Sequence, residues 1–223
     1  LHNTLFPYTT LFRSLLRHYL DTADYERALE GALKMLVREP GDLEARSIAG
    51  TALAQDFSRR QLARLANVES SLLRPIFEEA HKLQPDAGPI TVGLARRRLA
   101  DGLRDRETAR LLRDVCRNYP EATDLRIERV KLLWDLGDAE NAATLSRELL
   151  GRWRASSVKQ IPRGVTPEIR RELLFRTAQY LAAQPTLPDV EVLMEAAAEP
   201  DAPEDLVIGA AHALVELQSD HPA

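Results

Sequence analysis

The stretch LRHYLDTADYERALEGALKMLVREPGDLEARSIAGTAL, residues 16–53, decides the fold of this chain. It contains runs in which apolar residues recur every three or four positions, which is the spacing of one face of an α-helix. A polar turn, DTAD, separates the first two runs, and Pro40, which cannot continue a helix, follows the second. The stretch therefore predicts a helix, a turn, a second helix, a stop at the proline and the start of a third helix.

Two later segments end in the same way as this one. LRPIFEEAHKLQP closes at Pro85 and TARLLRDVCRNYP closes at Pro120, as ALEGALKMLVREP closes at Pro40. After each proline the chain restarts with small or acidic residues and a new amphipathic run. Ala and Leu, which are good helix formers, dominate the apolar residues, whereas β-branched residues are scarce. The sequence predicts an all-α protein built from repeated helix pairs.

This pattern resembles the tetratricopeptide family, whose unit is about 34 residues of helix, turn and helix. At the front, Leu16, Tyr19 and Ala28 have the family's spacing around the first turn, and Pro40 follows Ala28 by twelve positions. The next first helix carries further residues at family spacing: Ala45, Ala49, Gly50 and Leu53. The segment LGDAENA (136–142) supplies a Leu-Gly-Asp turn. The resemblance implies a right-handed α-solenoid.

Its register divides the chain into repeats at 9–42, 43–87, 88–122 and 123–156, with about eleven extra residues placed at 57–71. A loop is predicted at 156–167, followed by helices at 167–184, 188–198 and 203–218. The last two helices resemble a HEAT repeat without that family's arginine, and a divergent tetratricopeptide pair is the alternative. Residues 157–223 then form a C-terminal helical cap, as the open end of a stack requires. The expected buried set is Leu16, Tyr19, Tyr25, Ala28, Ala49, Gly50, Leu53, Leu112, Leu133 and Ala142.

Residues 4–14, TLFPYTTLFRS, resemble the in-frame translation of a common sequencing adapter. We therefore expect residues 1–14 to be non-native and either loosely attached or helical only because of their Leu and Phe content, so that native repeats occupy 15–156 and the native N-terminus is missing. The alternative is a genuine amphipathic start with its Leu and Phe side chains in a core.

The composition bounds what this chain can be. Its 223 residues, 44% hydrophobic and 29% charged with a net charge of −4, are typical of a globular protein. No apolar run is long enough for a membrane span, and a cytoplasmic location is expected. The single cysteine, Cys116, excludes an internal disulfide and a cysteine zinc site, and is expected to be buried.

No arrangement of reactive residues predicts catalysis. No two of the five histidines lie three to five residues apart, so helical zinc spacing is absent. The sequence contains neither a phosphate-binding loop nor a G-x-S-x-G elbow. We therefore expect no enzyme activity, no metal, no cofactor and no small-molecule substrate.

The resemblance implies that the first helix of each repeat lines a concave groove that binds a protein or peptide partner. The groove positions singled out are Ser47, Thr51, Gln55, Arg96, Lys131 and Trp134. Repeat two lacks the Lys and Asn with which some relatives clamp a C-terminal carboxylate, so that clamp is not expected. Trp134 is the predicted anchor, since binding energy concentrates in Trp, Tyr and Arg. A core position for Trp134 is the favoured alternative.

Eight arginines crowd residues 94–117 against four acidic residues, a local excess of 8 − 4 = +4. Basic patches bind nucleic acid through phosphates, but no aromatic residue is interleaved here for stacking on bases. Nucleic acid is therefore not the expected partner, and an acidic peptide or anionic protein surface fits better. An interaction scaffold leads, and the alternatives are a regulatory arm of a larger enzyme or transcription factor, or an RNA-binding helical repeat.

Overall fold

The computed structural model describes residues 6–58, 64–66, 68–155, 165–183 and 189–220. Within these ranges the regular structure is helical and no strand occurs, which confirms the prediction of an all-α protein. The helices are α1 (Phe6–Asp21), α2 (Tyr25–Arg38), α3 (Leu43–Gln55), α4 (Ser70–Leu83), α5 (Gly88–Ala100), α6 (Arg106–Asn118), α7 (Thr123–Asp135), α8 (Ala139–Ala155), α9 (Pro167–Ala182), α10 (Val190–Ala198) and α11 (Glu204–Asp220).

Helices begin and end where local chemistry predicts. The carboxylates of Asp24 and Asp42 accept hydrogen bonds from the backbone N–H groups of Arg27 (3.2 Å) and Ala45 (3.0 Å), which would otherwise lack a partner at the start of α2 and α3. The helices that precede a proline stop end two residues before it, α2 at Arg38, α4 at Leu83 and α6 at Asn118. The three predicted stops are therefore confirmed.

Three helix-to-helix turns share one hydrogen-bonding pattern. Each turn contains one residue with positive φ: Ala23 (59°), Gly102 (73°) and Gly137 (76°). Its N–H donates to the carbonyl three residues back, and the next N–H donates to the carbonyl five residues before it, which is a Schellman turn. Gly102 and Gly137 lie 137 − 102 = 35 positions apart. The α5–α6 and α7–α8 pairs therefore turn in the same way at a fixed interval.

The chain divides into two compact units, Leu1–Asn118 and Tyr119–Ala223. In the first unit each helix packs chiefly against the next helix along the chain, and α1 also contacts α3. In the second unit α7 to α11 pack in the same sequential way, and α9 also contacts α11. Contacts mainly between sequence neighbours are typical of stacked helical repeats.

One hydrophobic core holds the second unit together. Ile127 and Val130 of α7 and Trp153 of α8 belong to the same buried cluster as Leu173 of α9 and Leu193 of α10. The predicted repeat 123–156 and the predicted C-terminal segment 157–223 therefore share a single core. The predicted last three helices are confirmed as α9, α10 and α11, while residues 156–164 of the predicted loop lie outside the described residues.

The predicted core residues are mostly buried. Those that are buried are Leu16, Ala28, Ala49, Gly50, Leu53, Leu112, Leu133 and Ala142. Cys116 is also buried, as expected. Tyr19 and Tyr25 are only half-buried, so their predicted burial is wrong. The Tyr19 ring lies 5.9 Å below the guanidinium of Arg27, and a tyrosine that keeps its hydroxyl end in water can still cover apolar surface.

Gly50 lies at the contact between α3 and α4. A Cβ atom added to Gly50 would meet the Cβ of Glu79 at 2.5 Å and the backbone nitrogen of Ala80 at 3.2 Å. Contacts this short with a neighbouring backbone leave no room for any side chain. The predicted role of Gly50, close packing of neighbouring helices, is therefore confirmed.

A buried arginine links three helices of the first unit. Arg98 of α5 is 5% exposed, and its Nε donates to the Thr108 hydroxyl at 3.0 Å. One guanidinium nitrogen donates to a carboxylate oxygen of Asp105 at 2.8 Å, and the same nitrogen lies 2.9 Å from Glu107. The other terminal nitrogen lies 3.5 Å from Glu78 of α4. Burying a guanidinium is unfavourable unless its donors are paired, and here they are.

The predicted insertion at 57–71 lies only partly within the described residues. Residues 64 and 65 are helical, and Leu65 is buried. Arg64 pairs with Glu26 and with Glu30 of α2, the second at 2.8 Å. The insertion is thereby tied to the surface of α2. Residues 59–63 and 67 of the predicted insertion lie outside the described residues.

Residues 6–14 of the adapter-like segment form the first half of α1. Leu11 is 68% exposed and Phe12 36%, whereas Leu16, just beyond the segment, is fully buried. Arg13 contacts the start of α3, where its guanidinium donates a hydrogen bond to Asp42 at 2.6 Å. Apart from this pair and Phe12, the side chains at 10–14 bury little surface.

Deleting residues 1–14 should therefore change the free energy of unfolding by no more than about 1 kcal/mol. Leu11 is exposed and contributes little, and the buried Asp42 keeps its backbone hydrogen bond from Ala45 when the partly exposed Arg13 is removed. Denaturant titrations of the full chain and of residues 15–223 test this. A loss of several kcal/mol would show that the segment completes the core of the first repeat.

Among the described residues, no helix is long and apolar enough to cross a membrane.

Candidate functional site

The predicted groove residues of the first unit lie along α3. Ser47 and Gln55 are exposed, and Thr51 between them is half-buried. The Thr51 hydroxyl donates to the backbone carbonyl of Ser47 at 2.9 Å, so its hydrogen is already used within the helix. Of these three predicted residues of α3, Ser47 and Gln55 are the two whose side chains are exposed.

Arg96, the other predicted residue of the first unit, is exposed on α5. It belongs to a different compact unit from Lys131 and Trp134. Its placement on one wall with Trp134 stays a prediction.

Trp134 is held between the core and an open surface in the second unit. It is half-buried at the end of α7 and packs against the buried cluster. Its ring meets the ring of Tyr180 edge to face, with centroids 6.0 Å apart and an interplanar angle of 70°. Such edge-to-face pairs are favourable beyond their buried area. Both predictions for Trp134, a core position and a place in a binding surface, thus apply in part. The side chain packs against the core and also lines a pocket.

That pocket, which we call the Trp134 pocket, is open and has a volume of about 400 Å³. It is lined by Trp134 of α7 and by three residues of α9, Arg176, Gln179 and Tyr180. The indole Nε1 is buried and has no hydrogen-bond partner among the described residues. A buried N–H without an acceptor is costly, so this unpaired donor is unfavourable in the chain as it stands.

Charged residues border the pocket as a chain of weak ion pairs. Glu172 lies 3.6 Å from both Lys131 and Arg176, and Arg176 lies 4.0 Å from Asp135. These side chains are partly exposed, and pairs of this kind stabilise by at most about 1 kcal/mol. The charge of Lys131, a predicted groove residue, is therefore partly neutralised by Glu172. Because these ion pairs are weak, little free energy would be lost if a carboxylate of a partner replaced them.

The α9 half of the pocket was not predicted from the sequence. Helix α9 was assigned to a cap, so Arg176, Gln179 and Tyr180 were not placed beside Trp134. A signal was present, because positions 172, 176, 179 and 180 recur at helical spacing opposite the buried face of α9. Pairing that face with α7 required the tertiary structure.

A second pocket, of about 420 Å³, lies in the first unit. His81 lines it with Asp114 and Arg117, and its Nδ1 lies 3.3 Å from the Thr91 hydroxyl. Burial lowers the pKa of His81 below its ordinary value, against the opposing charge of Asp114. Thr91 also contacts the carbonyls of Pro85 and of its own helix, so the histidine and threonine act in packing the end of α4 against α5.

Metal binding finds no support in the part of the chain that is described, where no group of three or more His, Cys, Asp or Glu side chains converges. Comparison with models of protein families and with curated proteins finds no match to this chain.

Proposed function

We propose that this chain is a right-handed α-solenoid of tetratricopeptide-like repeats that binds a protein or peptide partner and acts as an interaction scaffold without catalytic activity. The matching Schellman turns at Gly102 and Gly137, 137 − 102 = 35 positions apart, support a repeated unit. The helices α3, α5 and α7 have 13 residues each, which also suits one unit used several times. The sequential packing within each unit agrees with this reading.

The Trp134 pocket carries the proposal of partner binding. Two helices that are separated in sequence by α8 come side by side there, as the first helices of consecutive repeats do. They present an aromatic pair, an arginine and an amide in one open pocket. Trp, Tyr and Arg are the residues in which interface energy concentrates. The pocket suits a peptide with one bulky apolar side chain and a nearby carboxylate for Arg176.

The test is a selection of displayed peptides on the full chain, followed by affinity measurements with single variants. We expect Trp134→Ala and Arg176→Ala each to weaken the selected peptides by about tenfold or more, the size of an interface hot spot. The matched control is Met194→Ala, which removes an exposed apolar side chain of the same unit outside the pocket. Its binding should equal that of the wild type.

Circular dichroism of each variant separates lost binding from lost fold. Trp134→Phe retains the packing against the core, so it provides a second variant in which the fold is preserved. Selected peptides that bind Trp134→Ala, Trp134→Phe and Arg176→Ala with wild-type affinity would remove the pocket as the binding site. A selection that yields no binding peptide would count against the scaffold itself.

A further inference from the structure

Four arginines form a straight row on the outer side of α6. Arg106, Arg110, Arg113 and Arg117 are all exposed. Their spacing of four, three and four residues places them on one narrow stripe of the helix, opposite the buried face that contains Leu112. At the rise of an α-helix, the row is about 16 Å long. We call this row the arginine ridge.

Two of the nearby acidic residues are turned toward Arg98 and away from the ridge. Asp105 and Glu107 lie 2.8 Å and 2.9 Å from the buried guanidinium of Arg98. Asp114 reaches the ridge from its flank, with an oxygen 3.2 Å from Nε of Arg113. Three of the ridge arginines form no ion pair with any residue that the structure describes: Arg106, Arg110 and Arg117. Of the four acids that offset the arginines in a sequence count, Asp105 and Glu107 are thus occupied by Arg98, Asp101 pairs with Arg74 at 2.9 Å, and only Asp114 pairs with the ridge.

The ridge is unfavourable for the isolated chain. Arg106 and Arg110, and likewise Arg113 and Arg117, are like charges at a spacing of four residues, which destabilises a helix. Helix α6 keeps its place through its buried apolar face and not through this surface. An anionic partner would relieve the repulsion, so the ridge is better suited to a complex than to water.

We infer that the arginine ridge docks an acidic α-helix of a protein partner. A helix with Glu or Asp at i, i+4, i+7 and i+11 has the same rise as α6, so each arginine can face one carboxylate along the whole row. All four cations are arginines, whose planar fork binds a carboxylate through two parallel hydrogen bonds. This inference does not rest on the Trp134 pocket, which lies in the other unit.

Nucleic acid fits the ridge less well. The four ridge positions include no aromatic side chain to stack on bases. The chain carries a net charge of −4, so its overall field repels a polyanion at long range. A single row of four cations neutralises few phosphates and would bind weakly at physiological salt.

The test measures fluorescence polarisation of a labelled peptide with the full chain. The peptide is an alanine-based helix of about four turns, locked by a side-chain staple, with Glu at i, i+4, i+7 and i+11. An isomer of the same composition has its four Glu residues distributed around the helix. We expect the first peptide to bind at low salt, more weakly as salt rises, and at least about fivefold more tightly than the isomer.

The decisive variant is Arg106→Gln/Arg110→Gln. Gln is a good helix former and the change removes a repulsion, so this variant should remain folded. We expect it to weaken the acidic peptide by about fivefold. The matched control is Lys34→Gln/Arg38→Gln, which removes two exposed cations at the same spacing from α2 and should leave binding unchanged.

Three results would overturn the inference. One is equal binding of the two peptide isomers, which would show attraction to net charge alone. Another is equal weakening by the ridge variant and by its α2 control. The third is tighter binding of a single-stranded oligonucleotide with the same number of charges than of the acidic helix, which would make the ridge a nucleic-acid surface.

Discussion

Gly50→Leu should lower the free energy of unfolding by about 3 kcal/mol, at the upper end of the usual cost of overpacking. A leucine at this position must push α3 away from α4, because even its Cβ would lie 2.5 Å from the Cβ of Glu79. The nearest atoms include the backbone of Glu79 and Ala80, which cannot swing aside as a flexible side chain can. Denaturant titration followed by circular dichroism measures the change.

Gly151→Leu is the control for this prediction. Gly151 lies within α8, as Gly50 lies within α3, but a Cβ added there meets no atom within 4 Å. Leucine is the better helix former, so this variant should be unchanged or more stable by up to about 1 kcal/mol. An unchanged melting temperature for Gly50→Leu would show that α3 and α4 are not packed in the register described above.

Arg98→Met should lower the free energy of unfolding by about 1–2 kcal/mol at neutral pH, the size of lost hydrogen bonds to a charged group, because the carboxylates it leaves unpaired are partly exposed to solvent. Methionine replaces the apolar stem of Arg98 but leaves the fully buried Thr108 hydroxyl and the Asp105 carboxylate without their cation. The matched control is Arg96→Met, an exposed arginine of the same helix, which should cost under about 0.5 kcal/mol. Equal losses in the two variants would show that the buried network adds nothing.

The loss caused by Arg98→Met should become smaller in acid. The backbone N–H of Thr108 and the Arg98 guanidinium hold the pKa of Asp105 below its ordinary value. A carboxylate with a lowered pKa stabilises the fold above its unfolded-state pKa, and this contribution is lost as the pH falls through its folded-state pKa. Repeating both titrations at about pH 3 should therefore bring the wild type closer to the variant.

Much of the architecture could be predicted because its causes are local. Pro40, Pro85 and Pro120 stop helices by their own ring geometry. Asp24 and Asp42 cap the helices that follow them by accepting from the backbone N–H three residues later. These effects act within a few residues and need no knowledge of the rest of the chain. The Tyr19 and Tyr25 predictions failed because the degree of burial depends on which neighbours cover a ring.

The candidate sites could be predicted only in part. Trp134 was singled out by residue type, but its partners Arg176 and Tyr180 lie on a helix more than forty positions later, and nothing local joins them. The arginine cluster was visible in the sequence as an excess of charge. The sequence did not reveal that Arg98 is buried, whereas the four arginines of α6 form an exposed ridge.

The sequence by itself determined that the described chain is helical and where three of its helices stop, since propensity and prolines act over one or two turns. Tertiary structure alone decided which helix faces meet. It aligned α7 with α9 to form the Trp134 pocket, and it turned the carboxylates of Asp105 and Glu107 toward Arg98. The physical reason is that burial and charge pairing depend on which surfaces packing brings together. Residues distant in sequence contribute to such contacts as much as sequence neighbours do.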